Sequence, residues 1–290
     1  MSESTHVRAL LALQPGSPAD DLRDNAVAWL HAFGGPARLD LCTVRDAAIP
    51  ADPLRLDGAA DTAGLNEVEA QRRLTEALAA HLDYVPEALQ GQVHLLVGPV
   101  APALRDAASA YDLLIVGSHH RRQLERLLLG SVSEELVRAA PCPVLVLPST
   151  PAPPSDPVSI HLPIDPDEPN FAAVEWVRRR LPTAAITAVY RLPFAEVFSG
   201  ADAANEYNAA QLALQRVLEA GGYPDLDAVV LIREETNVGD ALEAGAEASH
   251  IDLIALPSRG RAGVVAFFFG STGERVVRAA HRAVLAVHPA

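Results

Sequence analysis

Two glycine-bearing stretches hold the residues best suited to chemistry. In the first, Gly117-Ser118-His119-His120 follows a short apolar run, nine residues intervene, and Gly130-Ser131-Val132-Ser133 opens an amphipathic stretch. In the second, Pro257-Ser258-Arg259-Gly260 is followed by nine residues and then by Gly270-Ser271-Thr272-Gly273. Glycine lets a backbone turn tightly against an anion, and a helix start presents unpaired N–H groups with a partial positive charge. The hydroxyls of Ser131 and Ser133 add donors, so the natural guest of such a loop is a phosphate.

Other clusters read more simply. His119 and His120 are consecutive, a poor geometry for ligating one ion, and no CxxC or HExxH accompanies them, so they are expected to be solvated loop residues. Asp112 and Asp252 each precede an apolar run, where a turn or cap at the strand start explains them. Arg178-Arg179-Arg180 closes a helical stretch, where positive charge suits the helix dipole. Phe267-Phe268-Phe269 stand just before Gly270 and are assigned to a core or an interface in preference to nucleotide stacking. No Ser/His/Asp set falls at the ends of successive strands, so no catalytic residue is named, and no metal ligand either.

The elements that must position these loops repeat along the chain. Tyr111-Asp112-Leu-Leu-Ile-Val-Gly117 returns 140 positions later as Ile251-Asp252-Leu-Ile-Ala-Leu-Pro257. At the same offset Gly130-Ser131 returns as Gly270-Ser271, Glu135 to Ala140 as Arg275 to Ala280, and Pro143 to Val146 as Ala283 to Ala286. Between the copies, Pro148 to Pro157 holds five prolines in ten residues and reads as an extended connector. The chain therefore divides into two domains, 1–150 and 151–290.

In the first half, strand-like runs at Val7–Leu13, Leu39–Val44, Val93–Val97, Leu113–Val116 and Val144–Leu147 alternate with helical patterns. Those patterns cover Pro18–Phe33, Leu65–Leu82, Ala101–Ala110 and Ser131–Ala140. The second half offers strands at Val158–Ile164, Ile186–Val189, Ala228–Ile232, Leu253–Leu256 and Val284–Val287. Near-continuous apolar strands between helices predict an α/β fold: two tandem doubly wound, Rossmann-like domains, each a five-stranded parallel sheet. Ligands of such sheets sit beyond the carboxyl ends of strands where strand order reverses, which points to the loops after the first and fourth strands.

The formal net charge of −14 makes phosphate backbones and anionic lipid surfaces poor partners. Cys42 and Cys142 lie in apolar runs and are expected to be buried free thiols. The acidic start MSESTH, without a cleavage-site pattern, and the absence of an 18-residue apolar run give the expectation of a cytoplasmic protein.

Asp112-Leu-Leu-Ile-Val-Gly117, the glycine loop and Ala140-Pro-Cys-Pro-Val-Leu-Val146 together resemble the universal stress protein family, whose pattern here is Gly-2x-Gly-9x-Gly-Ser/Thr. The resemblance spans both halves and implies adenine nucleotide alpha hydrolase-like domains related by approximate two-fold symmetry. It also implies pairing through the last strands, internal to a tandem chain, with further dimerisation open. Some members bind ATP and some do not.

Each half departs from the family pattern differently. His120 occupies the second glycine position in the first half, and Pro257 the first in the second half. The family's Asp at the end of the first strand, which reads the base or ribose, is matched by Leu162-Pro163-Ile164-Asp165. The first half reads Leu13-Gln14-Pro15-Gly16 there, with Asp20 or Asp21 as substitutes. The resemblance thus implies a better-kept second site: Pro163, Asp165, Val189 as an apolar wall, and Ser258, Arg259, Gly260, Gly270, Ser271 and Thr272 toward phosphates. Arg261 would help neutralise phosphate charge. A weaker first site would use Gly117, Gly130, Ser131, Val132 and Ser133.

The expected function is a stress-response regulator that binds ATP or another adenine nucleotide, with Mg2+ as companion of a triphosphate, and acts on a protein partner. Two other readings stay open: a nucleotide-independent interaction protein acting as an internal pseudo-dimer, and a slow nucleotide hydrolase.

Overall fold

The computed structural model describes residues 6–14, 19–45, 67–118, 131–148, 153–192, 202–232, 250–258 and 282–288. Those up to 153 gather into one compact unit and those from 154 onward into a second.

In the first unit the order is β1 (Val7–Ala12), α1 (Ala19–Phe33), β2 (Ala37–Arg45), α2 (Glu67–Leu82), a 3-10 turn (Glu87–Leu89), β3 (Gln90–Val97), α3 (Val100–Ala108), β4 (Leu113–Gly117), α4 (Ser131–Ala139) and β5 (Val144–Leu147). The strands lie parallel in the order β3-β2-β1-β4-β5. Order reverses at β1, which pairs with β2 on one side and β4 on the other. β4 and β5 bury all of Leu113 to Val116 and Val144 to Leu147, as parallel strands covered on both faces must. The edge strand β3 departs from that pattern: it carries Gln90, Gln92 and His94, and Val97 is 58% exposed.

The stripe Ala26, Trp29, Leu30 and Phe33 seats α1 on the core at helical spacing. Asp20 and Asp21 lie in its first turn, where they suit the dipole, and Gly34 and Gly35, at φ +65° and +70°, end it.

The second unit runs β6 (Ser159–Pro163), α5 (Ala172–Arg180), β7 (Ala185–Leu192), α6 (Asp202–Ala220), β8 (Asp227–Ile232), β9 (Leu253–Pro257) and β10 (Ala283–Val287). Its strands are parallel in the order β8-β7-β6-β9-β10, the same winding. Here α5 packs on β9 and β10, and α6 on β7 and β8.

One clamp is built identically in both units. The Asp112 carboxylate accepts the Arg8 N–H (2.8 Å) while the Asp112 N–H donates to the Arg8 carbonyl (2.9 Å). Asp252 and Ser159 repeat both bonds at 2.9 Å, and Ser155 adds its hydroxyl to the Asp252 carboxylate. Each Asp thus ties the start of the fourth strand of its unit to the first. Cys42 and Cys142 are free and buried, and burial pushes each thiol up to about 12, which leaves them unreactive.

Among the described residues no helix is long and apolar enough to cross a membrane.

Candidate functional site

The site grows from the carboxyl end of β6. The Ile164 N–H donates to the Val189 carbonyl on β7, as the Leu13 N–H donates to Cys42 on β2, so Asp165 and Gln14 occupy equivalent places. Asp165 is buried, and its carboxylate accepts the Asp167 N–H (3.0 Å) while its carbonyl accepts the Glu168 N–H (3.2 Å). This Asx turn fixes the carboxylate at the strand end. Gln14 is exposed.

Pro163 does more than precede this Asp. Ile164 turns its N–H to β7, so alternation aims the position of Pro163 at β9, where proline has no N–H to give. Pairing of β6 with β9 stops at Ile160↔Leu253 and His161↔Ile254. In the first unit Ala12 has that N–H, and β1 pairs with β4 through Ala12↔Val116. The hydrogen-bond ladder of the second sheet therefore ends early, at the carboxyl ends of its two switch-point strands, where open α/β sheets receive ligands. Ser258 follows directly after β9. Its N–H donates to the Val287 carbonyl (2.7 Å), and its buried hydroxyl has no partner among the described residues. A buried hydroxyl left unpaired is costly, so this one is available to a polar ligand atom. Pro163 and Val189 are buried in the adjoining wall.

The first unit uses the same places for packing. A Cβ on Gly117 would come within 2.8 Å of the Leu22 Cδ2 on α1, so this glycine admits a helix side chain. The Ser133 hydroxyl, buried, donates to the Gly117 carbonyl at 3.4 Å, turning back to the strand. Val132 is half-buried in the first turn of α4. Asp20, one of the two substitutes for the missing Asp, is engaged by Arg23 at 2.7 Å and lies 3.3 Å from His81. Gly130, Arg259, Gly260, Arg261, Gly270, Ser271, Thr272, His119, His120 and Phe267 to Phe269 lie outside the described residues, as does the side chain of Ser131. Arg178 is committed elsewhere, paired with Asp225 and stacked 5.0 Å from the Tyr223 ring centroid.

The structure adds a polar cluster that sequence reasoning missed. On β2 the buried Asp40 carboxylate accepts the Tyr111 hydroxyl (2.7 Å) and the Gln92 N–H (2.8 Å), and lies 3.2 Å from His94 Nε2. Burial acts to raise its pKa, but the bonds from Tyr111, Gln92 and His94 outweigh it and hold the carboxyl below the usual range. The β2–β3 register shifts between Leu39 and Leu41, and the carboxylate takes an N–H of the shifted strand. Gly91 is required beside it, since a Cβ would meet the Asp40 Oδ1 at 2.0 Å. The signal was one acid inside the apolar run Leu39-Asp-Leu-Cys42. Register places Thr187, Val229 and Ile251 at the equivalent positions of the second unit.

A model of the Universal stress protein family matches residues 8–148 and again 159–288. A universal stress protein of Mycobacterium tuberculosis (strain ATCC 25618 / H37Rv) is 28% identical over 199 residues, 66% of this chain and 66% of that protein. One of Mycobacterium bovis matches to the same extent, so the match spans just under two thirds of either relative. Among solved structures, a universal stress protein from Archaeoglobus fulgidus DSM 4304 gives a TM-score of 0.59 at 17% identity, covering 97% of this chain and 98% of that one. A functionally unknown protein from Pseudomonas aeruginosa PAO1 gives 0.61 at 15% identity, covering 99% and 94%. At such identities the structural likeness speaks for the fold, and the family model speaks for membership. With both halves matched by that model, the chain belongs to the universal stress protein family, once in each unit.

Proposed function

We propose that this protein is a cytoplasmic stress-response regulator whose second unit binds ATP or another adenine nucleotide and whose first unit has mainly structural duty. The observation that carries this reading is the Asp165 carboxylate fixed at the end of β6, beside the early end of the β6–β9 ladder and with the Ser258 hydroxyl after β9 unpartnered among the described residues. A carboxylate suits ribose hydroxyls or the amino edge of a base. The glycine sequence from Gly260 to Thr272 suits phosphates, with Mg2+ accompanying a triphosphate. Binding then shifts the populations of the protein's conformations, and so what its surface offers a protein partner, without a chemical step.

Calorimetric titration with Mg·ATP and with AMP tests the assignment. Asp165→Ala is expected to weaken binding about 30-fold, near 2 kcal/mol for a lost charge-assisted hydrogen bond, and Gln14→Ala to leave it unchanged. Full affinity in Asp165→Ala, or equal losses in both variants, would overturn the placement in the second unit. Absence of binding to protein free of co-purified nucleotide would favour the nucleotide-independent interaction protein.

A further inference from the structure

We propose that the second unit holds a second ligand site, distinct from the Asp165 strand end, that takes a small organic cation: a primary ammonium on a flat or apolar body. The site is a cleft of about 480 Å³ between the turn after β6, the end of β7 and α6. That volume lies within the range of small-molecule sites. Pro166 and Asp167 come from the turn, Tyr190 and Leu192 from β7, and Glu206 and Ala210 from α6. Pro163, Asp165, Val189 and Ser258 do not line it, so it stands without the nucleotide reading.

Its chemistry is one-sided. Among the described residues the ionisable groups on its wall are two carboxylates and a phenol, with no Arg or His to receive an anion. Glu206 Oε2 is buried without a hydrogen-bond partner among the described residues. A carboxylate oxygen withdrawn from water and left unpaired is costly, and an ammonium brought to it supplies both the charge and the donor. The rest of the wall is apolar or aromatic. Tyr190 offers a ring whose face attracts cations. The small side chains Ala209, Ala210 and Ala213 follow Glu206 at helical spacing and leave room beside the carboxylate for the body of the ligand. Phosphate is disfavoured here by the same two carboxylates, which gives the cleft a ligand class unlike that proposed for the Asp165 strand end.

The test uses the full chain and two probes of one shape and opposite charge, 2-phenylethylamine and phenylacetate, titrated calorimetrically near neutral pH. The amine is expected to bind with a Kd at or below about 1 mM, and phenylacetate at least about 10-fold more weakly. Glu206→Gln should weaken the amine by about 10-fold or more while the thermal transition stays in place. Ala209 is exposed at the rim, so Ala209→Leu narrows the cleft without overpacking the core, and it should also reduce amine binding. Equal affinities for the two probes, an undiminished amine affinity in Glu206→Gln, or no amine binding at about 10 mM would each overturn the proposal.

Discussion

The two units share a winding order, a clamp and a strand register, yet they place their buried polar groups in opposite regions. The first unit has Asp40, His94 and Tyr111 joined on β2, β3 and the turn before β4, where the second has Thr187, Val229 and Ile251. The second unit has His161 in the middle of β6 and Arg282 before β10, where the first has Leu10 and Cys142. At the strand ends the first unit has Gln14 and an unbroken ladder through Ala12, and the second has Asp165 beyond a ladder cut at Pro163. In the first unit Asp40, His94 and Tyr111 satisfy one another and hold strands together, while Trp29 Nε1 is buried without a hydrogen-bond partner among the described residues. In the second, the Ser258 hydroxyl, His161 Nδ1 and Arg282 Nε are buried without partners among the described residues. Satisfied networks rigidify and unsatisfied groups cost stability, so the contrast lies in the Asp40 network, which the second unit replaces with Thr187, Val229 and Ile251.

The largest test of that contrast is removal of the Asp40 carboxylate. Asp40→Ala strands the Tyr111 hydroxyl and the Gln92 N–H, and the unfolding transition of the first unit should lose about 3–4 kcal/mol in urea denaturation. Thr187→Ala at the equivalent place in the second unit should cost about 1 kcal/mol or less, having no such network to break. Equal losses in the two variants would show that the cluster is not what holds the edge of the first sheet.

A slightly smaller effect separates the units by pH. Burial first, and then the charge of Arg282, lower the pKa of His161 to about 4. The folded state therefore binds fewer protons than the unfolded one between the ordinary histidine value of about 6.5 and that figure, and stability falls as pH falls through the window. The full loss is about 3 kcal/mol on going below pH 4. His161→Leu, which copies the Leu10 of the first unit, should flatten this part of the difference between wild type and variant. Denaturant midpoints from pH 7 to 4 measure it, and parallel curves for the two proteins would remove His161 as the cause.

Much of this was legible in the residues. Period and apolar content placed every described strand to within three residues, because a parallel strand buried on both faces has little freedom in composition. The offset of 140 positions found the repeat, whereas Asp112 and Asp252, expected to form a turn or cap at the strand start, instead clamp the fourth strand to the first. The Asp40 cluster was not legible, since its three side chains come from β2, β3 and a turn, and only folding brings them within 3.2 Å of one another. The part played by Pro163 was hidden for a related reason. As a letter it matched a family motif, whereas its consequence depends on which neighbouring strand its missing N–H would have faced.

That consequence gives the finest test. Pro163→Ala restores an N–H aimed at β9, and Ala12 shows that the first unit accepts alanine at this position with the ladder intact. One regained backbone hydrogen bond predicts a gain of about 1 kcal/mol in the second unit, opposed by the larger backbone freedom of the unfolded alanine chain at about 0.4–1 kcal/mol. The net change in stability should therefore be small, within about 0.5 kcal/mol. Nucleotide affinity is the sharper readout, because extending the β6–β9 ladder changes the strand end beside Asp165 while the Asp165 and Ser258 side chains remain. If the unzipped strand end is what admits the ligand, Pro163→Ala loses affinity at nearly constant stability. An unchanged affinity would mean that Asp165 and the glycine loop suffice, and that the cut ladder is a consequence of the proline without a role in binding.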